Sequence, residues 1–154
     1  MTRLERGATG FWRHGDEPLP DPDVRLFRTA CREAARRIRG CVDEPGFEGG
    51  RAANFQSAAI TGRVEAHVVV GHRHLPVIAF TDAPPVPGRP LSGFVDPPLW
   101  VDSFEAVGFR SLPVRELSTP MSRVDVSELA EAELARIRQW RPEVLSDVLF
   151  DWWD

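Results

Sequence analysis

Residues 63–82 read RVEAHVVVGHRHLPVIAFTD, and the fold turns on how this stretch is parsed. Two β-rich runs flank a turn signal at residues 71–74, which predicts an antiparallel hairpin. With Val70 set opposite Leu75, one face collects Val64, Ala66, Val68, Val70, Leu75, Val77, Ala79 and Thr81. That nearly apolar row is expected to be core. The other row holds Arg63, Glu65, His67, Val69, Pro76, Ile78, Phe80 and Asp82, a mixture suited to a partly solvated face or a binding surface. Pro76 has no N–H to give to a ladder, so its strand is expected to lie at an edge or to begin just after it.

Working outward from the hairpin, Val24, Phe27, Cys31, Ala34, Ala35 and Ile38 recur at helical spacing, which predicts a helix over 24–39 packed against the sheet. Asp23 stands where an N-cap belongs and Gly40 where a C-cap glycine belongs. Residues 1–22 read as an irregular arm, pinned to the body by Phe11 and Trp12. Residues 40–51 read as a loop, with strand-like sequence from about Ala52. The proline-rich stretch 83–98, APPVPGRPLSGFVDPP, predicts a long ordered loop. Beyond it, Asp102 or Ser103 caps a short helix and residues 109–117 read as a further strand. Asp125 and Glu128 form a capping-box pattern opening a helix through Trp140, and Pro142 opens a last helix running to about Trp153. The expected fold is α+β: one domain over 1–154, with a small, mostly antiparallel sheet of about four strands packed by an N-terminal helix and two C-terminal helices.

Composition narrows the function classes. Hydrophobic residues at 42% and charged residues at 27% are ordinary for a globular chain, so disorder is not expected. Every one of the 19 basic residues is arginine. Arg, Ala, Gly and Pro are abundant together, as GC-rich coding gives; the alternative is selection for arginine's planar, bidentate donors. A net charge of −4 disfavours nucleic acid or an anionic membrane as the partner of the whole surface. The first ten residues carry charges and no apolar segment, so no signal peptide is expected. No apolar run approaches the roughly 18 residues of a membrane span, and the cytoplasm is the expected location. Cys31 and Cys41 are too few for a disulfide scaffold or a four-cysteine zinc site and read as reduced thiols.

No phosphate-binding loop, dinucleotide fingerprint, HExxH, CxxC or GxSxG is present, so no cofactor, metal or catalytic residue is assigned. Three weaker constellations remain. His67, His72 and His74 lie around the hairpin turn, but in an extended chain His67 is roughly 16 Å from His72, which works against one metal ion shared by all three. They read as surface histidines. His67 beside Glu65, with Arg63 and Asp82 nearby, is the candidate for a ligand pocket between the mixed hairpin face and the proline-rich loop, because a carboxylate can orient an imidazole and raise its pKa. Arg25, Arg28, Arg32, Arg36 and Arg39, spaced three, four, four and three apart, form a basic ridge. Its counter-charges come from this chain, from an acidic protein or from phosphate.

The third constellation is an acidic row, Glu143, Asp147, Asp151 and Asp154, along the expected last helix. Phe150 and Trp153 fall at the margins of that helix, near water, where aromatics beside charge mark interfaces. Either the acids pair with the arginine ridge and the aromatics pack on the N-terminal arm, or this row meets a partner. The favoured expectation is a non-catalytic protein-binding module, such as an immunity-type inhibitor offering the row to a basic protein partner. The competing expectation is a small-molecule-binding protein or enzyme using the hairpin pocket.

Overall fold

The structure is a computed structural model that describes residues 2–11, 24–43, 54–86 and 89–151. Its elements in chain order begin with β1 (Thr2–Arg3), α1 (Val24–Arg37), β2 (Cys41–Asp43), β3 (Phe55–Thr61), β4 (Ala66–His72), β5 (Val77–Thr81) and β6 (Phe94–Val95). After a 3-10 turn at Leu99–Val101 come α2 (Asp102–Glu105), β7 (Arg110–Ser111) and α3 (Val114–Leu117). The chain then forms β8 (Val124–Asp125), α4 (Glu131–Trp140) and α5 (Leu145–Leu149). The sheet order is β2-β3-β4-β5-β6, antiparallel throughout, with β7 added parallel to β5. A separate parallel pair joins β1 to β8. The α+β architecture expected from the sequence is therefore present, with two more short strands on the main sheet than the four expected.

The hairpin of β4 and β5 forms, with Val70 opposite Ala79 rather than Leu75. The partner moves by an even number of residues, so the strand residues keep their predicted faces. Val64, however, precedes β4 and is 96% exposed, and Ala66 is exposed at its start, so neither joins the core expected of them. β5 begins directly after Pro76, whose carbonyl accepts a hydrogen bond from Arg110 N at 2.8 Å.

Both faces are core at the centre of the hairpin; on the row expected to be mixed and partly solvated, Glu65 and His67 are half-buried and Arg63, Pro76 and Asp82 exposed. Val69, Ile78 and Phe80 are fully buried in a cluster with Phe27, Ala30, Cys31, Ala34, Trp100 and Phe104, which covers them with α1, the 3-10 turn and α2. Val68, Val70, Val77 and Ala79 face a second cluster built from the N-terminal segment and the C-terminal elements. A strand covered on both sides needs a continuous apolar run rather than alternation, and Val68-Val69-Val70 is that run.

Several boundaries differ from the expectations. α1 ends at Arg37, and Arg39 rather than Gly40 takes the left-handed turn at φ 53°. Gly40 serves close approach instead: any Cβ there would collide with the Thr61 carbonyl. The proline-rich stretch contributes β6, whose Phe94 packs 6.0 Å from the Phe150 ring. Residues 109–117 give only the two-residue β7 before Pro113 opens α3. Asp125 does not open a helix: it ends β8, its Oδ1 accepts from Ser127 N at 2.9 Å, and α4 starts at Glu131. The last helix is Leu145–Leu149, far shorter than expected. Asp23, Trp12 and Ala52 lie outside the described residues. Among the described residues, no helix is long and apolar enough to cross a membrane.

Candidate functional site

The three histidines are separated by the sheet. His67 is on the α1 face, His72 on the opposite face, and His74 in the turn. His72 is a core group rather than a surface one, 2% exposed. Its Nδ1 accepts from His74 N at 2.9 Å and Leu75 N at 3.0 Å, which fixes Nε2 as the protonated nitrogen, donating to Ala8 O at 2.7 Å. Burial lowers its pKa to about 3, with the Ala8 bond opposing the shift and His74 adding to it. The ring is neutral and joins the hairpin turn to the N-terminal segment.

Two further buried groups bind the same segment, and neither left a signal in the sequence. Asn54 donates through Nδ2 to Thr9 O at 3.0 Å and Val148 O at 2.9 Å, and its Oδ1 accepts from Asp151 N at 2.7 Å. Glu133, fully buried, accepts from Gly7 N at 2.6 Å through Oε1. Burial raises its pKa against the pull of Gly7 N, Ala130 N, Arg6 and Thr9. Residues 7–9 are thus clamped between sheet, α4 and α5. A glutamate in the first turn of α4 and an asparagine before a strand have no periodicity that foretells burial against the N-terminal segment; only tertiary placement shows it.

At the far end of β4, the predicted ligand residues meet in part. Glu65 Oε1 accepts from Trp100 Nε1 at 3.2 Å, and its Oε2 lies 3.8 Å from His67 Nδ1. The His67 ring stands edge-on to Trp100 at 5.4 Å and to Phe80 at 6.2 Å. Trp100 was missed by sequence reasoning, since a lone tryptophan after a proline run has no spacing that marks it. Asp82 is exposed and turned to β6, where its carboxylate lies against Gly93, and Arg63 is exposed in the β3–β4 turn. The geometry gives an imidazole with a carboxylate just beyond hydrogen-bond reach. The described contacts bring no nucleophile to it. Among the described residues, no cluster of three or more His, Cys, Asp or Glu is placed to hold a metal ion.

The acidic row does not exist as a helical ridge. Glu143 precedes α5 and Asp151 follows it. Asp147 Oδ2 accepts from Glu143 N at 3.0 Å and Val144 N at 3.1 Å, so this carboxylate closes the start of α5 rather than facing outward. Phe150, expected near water, is 2% exposed and packs on Phe55, His72 and Phe94. The physical reason is helix length: five residues cannot carry a row spaced over eleven, and Phe150 falls into the core as the chain leaves α5. Trp153 and Asp154 lie outside the described residues.

The basic ridge does form. Arg25, Arg28, Arg32, Arg36 and Arg39 are all exposed along one flank of α1 and its C-terminal turn. Arg36 pairs with Glu33 at 2.7 Å, and Arg25, Arg28 and Arg32 make contacts within the chain while staying exposed. Off the ridge, Arg37 is tied to Asp102 and, at 3.1 Å, to Ser103. An open groove of about 530 Å³ lies beside the ridge, lined by Arg32, Ala35, Arg36, Gly40 and Val42. Comparison of the chain with protein-family models, with curated proteins and with solved structures finds no match.

Proposed function

We propose that this protein is a non-catalytic binding domain that receives an acidic protein partner on the basic flank of α1 and in the groove beside it. The observation that carries the reading is a row of five exposed arginines, two of which line a groove together with Ala35 and Val42. Arginine forks take carboxylates bidentately, and apolar lining beside them suits a protein side chain better than a phosphate backbone. The net charge of −4 weighs the same way, since it opposes a long polyanion over the whole surface without opposing a local basic stripe. The acidic row is not the surface assigned here, because Asp147 is engaged at the start of α5 and Phe150 lies in the core.

The test is a titration with a glutamate-rich peptide carrying one leucine, followed by fluorescence anisotropy. Wild type binds, affinity falls with added salt, and Arg32→Gln with Arg36→Gln weakens it by about tenfold or more. Arg138→Gln, on α4, leaves it unchanged. Absence of peptide binding, an unaffected double variant, or tighter binding to duplex DNA than to the peptide overturns the reading.

A further inference from the structure

A second, smaller pocket lies on the opposite face of the sheet, where β1, the start of β5 and α5 meet. Its volume is about 250 Å³. Leu4, Leu75, Val77, Leu145 and Leu149 give it an apolar floor, each nearly fully buried. Arg3, Glu5 and Arg110, all exposed, supply its charged lining. The residues predicted for a ligand pocket, Glu65 and His67, sit at the other end of β4 and take no part.

Volume and charge together narrow the occupant. An empty cavity of about 150 Å³ holds benzene, and drug-sized pockets begin near about 300 Å³. The space therefore suits a branched aliphatic group with a small polar head. The rim carries both signs, so a simple carboxylate would meet Glu5 and a simple amine would meet the arginines. Arg3 is held by Asp125 at 3.3 Å and Glu128 at 3.7 Å, and Arg110 by Glu116 at 2.8 Å. These ion pairs, at exposed positions, leave donors on both guanidiniums, which carry five N–H groups apiece. We infer that this pocket binds a free α-amino acid with an aliphatic side chain. Its carboxylate lies on Arg3 and Arg110, its ammonium on Glu5 and its side chain on the leucine floor. The site is independent of the α1 surface and stands or falls separately.

The intact protein would be titrated with L-leucine, with isocaproate, which lacks the ammonium, and with isoamylamine, which lacks the carboxylate. Methyl NMR signals of Leu4, Leu75 and Leu149 report occupancy. Leucine is expected to shift them saturably and to bind about tenfold or more tightly than either analogue. Glu5→Gln and Arg110→Gln, both at exposed positions, each weaken leucine by about tenfold while the glutamate-rich peptide still binds as in wild type. No saturable shift with leucine, equal affinity for all three compounds, or leucine affinity unmoved by either variant overturns the proposal.

Discussion

Protonating His72 would remove the Nδ1 lone pair that receives two backbone N–H groups and would place a charge where no water reaches it. The unfolded chain takes up that proton near the ordinary histidine value of 6.5, the folded one only near about 3. Between those limits the unfolded state binds the extra proton. The contribution of His72 to stability is thus complete above the upper limit and is lost as pH falls, by about 1.4 kcal/mol per pH unit. Glu133, whose pKa is raised, works in the opposite sense as pH falls toward its own titration. Urea denaturation at several pH values checks this: His72→Gln should flatten the dependence between about pH 4 and pH 6 by close to one proton. An equally steep profile in the variant would remove His72 from the account. Gly71 offers a second residue-scale prediction. A Cβ there would lie 2.6 Å from the Phe27 ring, so Gly71→Ala should destabilise by about 1–3 kcal/mol in the same assay.

Among the elements, α5 shows how a short helix is held by its flanks. Asp147 Oδ2 satisfies two N–H groups before its first turn, and Leu145 N is bonded to Thr119 O at 2.9 Å. Asp147→Ala should cost about 1 kcal/mol, the usual value of a helix cap, with peptide binding at α1 unaltered. Phe150→Ala, in contrast, opens a cavity between Phe55 and Phe94 and should cost about 3–5 kcal/mol by denaturation. Legibility at this scale followed period and length. α1 was readable because its apolar stripe runs for four turns, and the hairpin was readable because β-rich runs bracket a turn. The same alternation misled on burial, since nothing local says whether a strand's second face meets water or a helix. α5 was misread because the helical spacing of Val144, Leu145, Val148 and Leu149 carries no mark of where the helix stops, and the chain leaves it at Phe150.

Across the whole molecule, one sheet separates two cores, and the two surfaces proposed for binding lie on opposite sides of it. α1 and the 3-10 turn close one side, where the basic flank and its groove lie. The clamped N-terminal segment and the C-terminal elements close the other, where the small pocket lies. Of the residues the sequence offered for function, the arginine row stayed at the surface as one unit because its spacing matched a helix that formed over all but its last two expected residues. The acidic row and the histidine cluster dissolved because their spacing depended on elements that ended early or on strands whose faces diverge. The central claim is that recognition belongs to the α1 flank. Backbone amide NMR of the intact protein, titrated with the glutamate-rich peptide, tests it most directly. Shifts confined to residues around Arg32, Ala35, Arg36, Gly40 and Val42 are predicted; shifts centred on residues 143–151, or none at all, would contradict it.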